Sequence, residues 1–266
     1  MFPKPEEYRE NCLERPTGSE MALQEELEKT GEYFFRWRSY LPLFMAGLFI
    51  PALIYFRYAF QHPGLNLAWD LGCLMISLLG QSLRFFTAGF VPRGTSGRNT
   101  LGQVAESLNT TGMYAVVRNP LYLGNFIIWV GLSLFMKSVW FTAIIILCFT
   151  LFYERIIFTE ESFLREKFGD AFLKWAEKTP AMIPRFRNWS PPALPFSWKS
   201  ALKREYGSFF AIIVTFTVLE LLDGLINYGR LTLEPLWVKL VVLGTIFYLT
   251  IRYLKKKTKV LATDNR

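Results

Sequence analysis

Six apolar stretches near the length of a bilayer crossing dominate this 266-residue chain, at 41–60, 68–90, 121–136, 139–158, 207–227 and 235–254. A hydrocarbon core of roughly 30 Å is spanned by about 20 helical residues. Within it each backbone N–H and C=O must find its partner inside the protein, and a helix does this with its own residues. The expected fold is therefore all-α: a polytopic integral membrane protein of about six transmembrane helices, with an interfacial helix at the N-terminus. Composition agrees, with 52% hydrophobic residues and 25 Phe, 12 Tyr and 8 Trp. That balance excludes disordered, collagen-like and disulfide-scaffold chains. Lys137 and Ser138 leave almost no loop between the third and fourth stretches, so those two helices should form a tight hairpin.

The net charge of +8 is distributed by topology. Segments 1–40, 91–120, 159–206 and 255–266 hold 23 Lys and Arg, against 2 in the loops 61–67, 137–138 and 228–234. The two sets alternate as six spans require. By the positive-inside rule both termini and both long loops are expected in the cytoplasm. Nucleic acid is not an expected partner, because the basic residues flank the spans and form no recognition motif. No metal is expected either: His62 is the sole histidine, and Cys12, Cys73 and Cys148 have no CxxC spacing. Three regions follow: an interfacial amphipathic segment 1–38, a membrane core 39–188, and a linker plus two further helices 189–266. The first carries a capping-box pair, Thr17 and Glu20, and the cluster Tyr33, Phe34, Phe35, Arg36, Trp37 and Arg38. It is expected to act as an anchor in the headgroup layer.

The chemistry should lie between Arg93 and Phe186. A polar, Gly-rich loop runs into Arg118-Asn119-Pro120-Leu121-Tyr122-Leu123-Gly124. Pro120 suits the first turn of a helix, whose free N–H groups favour an anion, and Arg118 beside it can clamp a carboxylate or phosphate. The fourth span runs on through Glu160 and Glu161 toward Gly169, a plausible stop. Paired carboxylates at a membrane edge need cations or hydroxyls as partners. Arg84 near the inner end of the second span, with Arg93, Arg98 and Asn99 in the loop, forms a candidate basic site for a phosphate headgroup. In the fifth span Glu220 and Asp223 are read as structural, paired with Arg57, Arg230 or Lys239.

RNPLYLG resembles the Arg-His-Pro-x-Tyr-x-Gly motif of the isoprenylcysteine carboxyl methyltransferases and their phospholipid methyltransferase relatives. EESFLREKFGDAFLKWAEKTPAMIP resembles the Glu-Glu…Phe-Gly…Ile-Pro segment of that family, and GQSLRFF at 80–86 its Gly-x-x-Leu-Arg. The resemblance covers about 75–186. It implies S-adenosylmethionine as methyl donor and a membrane lipid or lipidated molecule as acceptor. It further implies cofactor contacts at Gly80, Tyr114, Arg118, Asn119, Pro120, Tyr122, Gly124, Glu160 and Glu161, with Glu161 and Arg118 carrying catalysis. Asn119 stands where the family usually has histidine; it keeps a hydrogen bond but does not titrate near neutral pH. The loop is unlike that of the eukaryotic enzymes, which suggests a bacterial branch in an inner membrane. The expected reaction is O-methylation of an anionic lipid headgroup, such as the phosphate of a lipid A-type glycolipid. Phosphatidylethanolamine N-methylation and prenylcysteine carboxyl methylation are the alternatives. A nicotinamide-dependent membrane reductase, whose sterol-reducing members share a similar Arg-(His/Asn)-Pro-x-Tyr-x-Gly element, is the rival class.

Overall fold

The computed structural model describes residues 23–38, 40–54, 63–92, 105–231, 233–258 and 260–261. Among them the chain is helical, with no strand. In order the helices are α1 Leu23–Trp37, α2 Leu41–Gly47, α3 Phe49–Ile54, α4 Pro63–Phe90, α5 Met113–Val116, α6 Pro120–Phe135, α7 Val139–Phe168, α8 Asp170–Lys178, α9 Trp198–Tyr228 and α10 Pro235–Lys257. A 3₁₀ turn, Phe186–Asn188, lies between α8 and α9. Thr17 and Glu20 fall outside the described residues.

The protein is an all-α membrane protein, and its described helices are roughly consistent with the six spans expected, although residues 55–60 of the first lie outside the described residues. Among the described residues four helices are long and apolar enough to cross a membrane: Gly64–Phe90, Val139–Phe168, Trp198–Ile226 and Pro235–Lys257. The first expected span is broken at Leu48 into α2 and α3. Pro51 explains the break, because it has no N–H for the carbonyl of Gly47 and its ring crowds that turn. The third expected span, α6, has 16 residues, so at 1.5 Å per residue it is about 24 Å long.

Small residues let α4 and α6 pack backbone to backbone, as is common between membrane helices. A Cβ on Gly80 would sit 2.5 Å from the carbonyl oxygen of Gly124, and one on Gly131 would collide with Ser77 Oγ. α9 also packs against α4, α7 packs against α6 and α1, and α10 packs on α9. Phe135, Phe149, Phe216 and Trp237 are fully buried between these helices, with Phe149 stacked on Tyr153 at 4.0 Å.

The hairpin between α6 and α7 is as tight as expected. Lys137 adopts φ 53°, and Ser138 caps α7 by accepting a hydrogen bond from the Phe141 N–H. Lys137 is buried at this far end of the bundle and pairs with Asp70 at 3.3 Å. Glu220, Asp223 and Glu234 lie within electrostatic reach of the same pair. Lys137 is thus a cation near Glu220 and Asp223 that the sequence reading did not consider, while Arg57 is outside the described residues. α7 runs to Phe168 and stops at Gly169, whose φ of 51° suits a residue without a Cβ.

Candidate functional site

The opposite end of the bundle gathers the polar residues singled out in the sequence. Pro120 opens α6 in its first turn, following Asn119 in a non-helical conformation. The strand-like step before it is held by main-chain bonds: the Arg118 N–H donates to the Pro180 carbonyl at 2.9 Å, and the Arg185 N–H to the Val116 carbonyl at 3.0 Å. The segment after α8 therefore folds back along residues 114–118. The Trp175 indole N–H donates to the Tyr114 carbonyl at 3.0 Å and helps fix this return.

Arg118 is the hub. Its Nε donates to Glu161 Oε1 at 2.8 Å and its Nη2 to Glu161 Oε2 at 2.9 Å, a two-pronged pair between α7 and the entry to α6. Its Nη1 donates to the carbonyls of Ala176 and Thr179 at 2.8 and 2.9 Å. A guanidinium has five N–H groups, so these bonds engage four of them. Its chain neighbour Asn119 donates to the Ala181 carbonyl at 3.2 Å and more weakly to Glu161 Oε1 at 3.4 Å. The feature that reads from sequence as an anion clamp is here a clamp on the protein's own carboxylate.

Glu160, one residue earlier on α7, is held differently. Its Oε1 accepts from the Tyr122 hydroxyl at 2.8 Å and from Arg38 at 3.0 Å. Arg38 follows directly on α1 and lies 3.9 Å over the Phe35 ring. The N-terminal segment, expected only as an anchor, thus supplies a cation to the site. α1 reaches it because Gly31 lies against Thr159 and the Arg155 carbonyl, a spot a Cβ would fill. The described hydrogen bonds of Glu160 involve Oε1 alone, and both side chains of the Arg38–Glu160 pair are partly exposed, 16% and 27%.

Gly80 and Gly124 meet each other across the α4–α6 seam, so the space left by their missing side chains is taken by helix packing. Arg84 packs over Gly124 and turns to α9: its Nε and Nη2 each donate to Glu205 at 2.9 Å, and its Nη1 to Asn125 Oδ1 at 2.7 Å. Gln81 donates to the same Glu205 carboxylate at 3.1 Å. Arg84 is therefore bound to a carboxylate that the sequence reading passed over. Arg93, Arg98 and Asn99 lie outside the described residues. Tyr114 sits within the electrostatic reach of Glu160 and Arg84; desolvation first, and the Glu160 charge second, push its hydroxyl well above the ordinary tyrosine range. Among the described residues no group of His, Cys, Asp and Glu is arranged to hold a metal ion.

Sequence reasoning passed over Glu205 and gave Arg38 only an anchoring part. A signal existed for Glu205. Ser197 is a good N-cap and its side chain accepts from the Ser200 N–H, so α9 starts nine residues before the apolar stretch at 207. That places Glu205 on a helix rather than in a loop.

Residues 72–171 match the family model of the phospholipid methyltransferases. A nickel-cobalt-cadmium resistance protein of Alcaligenes xylosoxydans xylosoxydans is 34% identical over 117 residues, 44% of this chain and 54% of that protein. The protein-S-isoprenylcysteine O-methyltransferase of Schizosaccharomyces pombe is 33% identical over 109 residues, 40% of this chain and 45% of its own length. Protein-S-isoprenylcysteine O-methyltransferase B of Arabidopsis thaliana is 30% identical over 146 residues, 52% of this chain and 72% of the plant protein. The chain spans about half the length of the resistance proteins it matches. No solved structure matches it.

Proposed function

Since the chain belongs to the family of membrane phospholipid and isoprenylcysteine methyltransferases, we propose that it transfers a methyl group from S-adenosylmethionine to a membrane lipid or lipidated acceptor at the basic end of the bundle. The observation that carries this reading is the pair of adjacent carboxylates on α7, each tied to the entry of α6: Glu161 through Arg118, Glu160 through Tyr122. The donor set fits the cofactor. An amino acid ammonium and ribose hydroxyls need acceptors, and the described contacts leave Glu160 Oε2 and Asn119 Oδ1 open for them. The cofactor's carboxylate needs a donor, and the first turn of α6 supplies free N–H groups beside the remaining N–H of Arg118.

When bound, S-adenosylmethionine supplies a methyl group already activated by its sulfonium. The protein's task is then alignment and exclusion of water. Arg118 fixes Glu161 and the return segment 176–181 in one piece. Tyr122 and Arg38 fix Glu160. An anionic oxygen acceptor needs no base; for an ammonium acceptor the proton would pass to Glu160, because both Glu161 oxygens already face Arg118. The basic end faces the cytoplasm in this reading, where the positive-inside rule places it and where the donor is available. The loop and relatives suit a bacterial inner membrane.

Among acceptors, the lipid phosphate expected from sequence loses the support of Arg84, whose two prongs hold Glu205. It rests on Arg93 and Arg98, with phosphatidylethanolamine and prenylcysteine carboxylate as the alternatives. Purified protein incubated with methyl-labelled S-adenosylmethionine and separated lipid classes tests the proposal. Label in a lipid or prenylcysteine fraction supports it. Stabilisation by NADPH, with none by S-adenosylhomocysteine, would refute it in favour of a reductase.

A further inference from the structure

The last two helices lie outside the stretch that matches the family, 72–171, yet α9 sends a carboxylate to the site. We infer that Glu205 is a positioning residue for the methyl-transfer site, holding Arg84 against Asn125 and through that contact setting Tyr122 and Glu160. The inference rests on the proposed function, because it assigns α9 a part in that same site.

The chain of contacts is continuous. Glu205 accepts from Arg84 at both oxygens and from Gln81 at Oε2. Arg84 donates through its remaining prong to Asn125 on α6 at 2.7 Å, and Asn125 lies close enough to Tyr153 on α7 for the two side chains to interact. The Tyr153 ring packs edge-on against Tyr122 with centroids 5.0 Å apart, and the Tyr122 hydroxyl donates to Glu160. Four helices, α9, α4, α6 and α7, are thereby registered at one level.

Stability alone is a poor reason for this arrangement. Arg84 and Glu205 have side chains only 12% and 6% exposed, and the desolvation of two charges largely cancels their attraction. An apolar contact between α4 and α9 would serve packing as well. What the ions add is direction: a planar guanidinium fixed on two sides presents its third side to Asn125 at a defined angle. The Gln81 amide, 4% exposed, has the same orienting use, donating to Glu205 and stopping the carboxylate from rotating.

The test uses the full chain in lipid nanodiscs, with S-adenosylhomocysteine as the titrated probe and methyl transfer as second readout. Glu205→Gln is expected to weaken probe affinity about tenfold, with Glu205→Asp recovering part of it. Asn125→Leu should give a similar loss, and the double variant should be no worse than the weaker single, since both break one chain. Lys137→Met, which breaks the buried pair at the far end, should lower the melting temperature and leave probe affinity of the folded protein unchanged. Additive losses for Glu205→Gln and Asn125→Leu, or an equal loss in Lys137→Met, would overturn the inference. So would unaltered affinity in Glu205→Gln. A wild-type protein that ignores the probe altogether would instead remove the proposed function, and this inference with it. If Glu205→Gln does not fold, Arg84→Lys, which keeps a cation and loses the third prong, is read by the same criteria.

Discussion

Replacing Arg118 by lysine keeps the charge and removes the geometry, so it isolates what the fork contributes. The guanidinium reaches Glu161 with two N–H groups and the carbonyls of 176 and 179 with two more, all at 2.8–2.9 Å. A lysine ammonium carries its three donors on one nitrogen and cannot bridge both groups. It keeps one side or the other. At least two hydrogen bonds are lost, each to or from a charged group and worth about 1.5–3 kcal/mol. Arg118 and Glu161 are 18% and 21% exposed, so water replaces part of the loss and the lower half of that range applies. The expected cost is about 3 kcal/mol. At roughly 2–4 °C per kcal/mol for a chain of this size, Arg118→Lys should melt about 6–12 °C below wild type.

The same substitution should separate folding from binding. S-adenosylhomocysteine at a hundred times its Kd stabilises a folded protein by about 2.7 kcal/mol; a tenfold weaker site at that concentration keeps about 1.4 kcal/mol. Thermal unfolding in detergent, with and without the probe, measures both numbers. Methyl transfer should fall at least as far as probe affinity. A variant that melts within 2 °C of wild type and gains the same stabilisation from the probe would show that the fork is not what holds the twin-glutamate site together.

Tyr122→Phe removes one donor from Glu160 and should weaken S-adenosylhomocysteine binding by about three- to tenfold, an effect of about 0.7–1.4 kcal/mol; titration calorimetry at matched protein stability reads it, and full affinity would detach Glu160 from the site. Gly80→Ala drives a Cβ to within 2.5 Å of the Gly124 carbonyl and 2.9 Å of the Ile128 nitrogen. Both are backbone atoms, so the helices must part at a cost of about 1–3 kcal/mol, read as a lower melting temperature; a neutral result would mean the seam is looser than the close approach requires. Lys137→Met leaves Asp70 at 7% exposure without its cation and should cost about 3–5 kcal/mol, whereas Lys137→Met combined with Asp70→Leu should recover most of that loss. Equal melting temperatures for the single and double variants would contradict it.

How much of this was readable follows from what sets each feature. Apolar runs fix helices through a local rule, so α4, α6, α7, α9 and α10 lie where the hydrophobic pattern put them. The rule of length says nothing about a proline within a run, and Pro51 divides the first stretch although the residues around it are apolar. Arg118, Tyr122, Glu160 and Glu161 were findable because they cluster in two short stretches, and the structure brings those stretches together. Their partners were not. Arg38 is 122 residues from Glu160, and Glu205 is 121 from Arg84. Nothing in local periodicity encodes pairings over such separations. Arg84 reads from sequence as part of a basic headgroup site, and no local pattern reveals that α9 brings it a carboxylate.

That pairing has a physical consequence for the acceptor. An arginine near the inner end of a span must find a counter-charge, and the protein can supply one itself or leave it to the substrate. Here α9 supplies it to Arg84, α7 supplies it to Arg118, and α7 supplies it again to Arg38. Three cations are thus matched by three carboxylates before any ligand arrives. A site neutralised in this way gains little by binding an anionic headgroup for its charge alone. On the proposed function, discrimination among acceptors would then fall to shape and to whichever hydrogen-bonding atoms stay open once the cofactor has engaged Glu160 Oε2. The salt dependence of acceptor KM follows: it should be shallow, changing by less than about threefold between 50 and 500 mM salt, because exposed cations would be screened over that range and paired ones are not. A steep dependence would point to further basic residues at the acceptor's headgroup, with Arg93 and Arg98 the candidates from sequence, and restore the anionic reading.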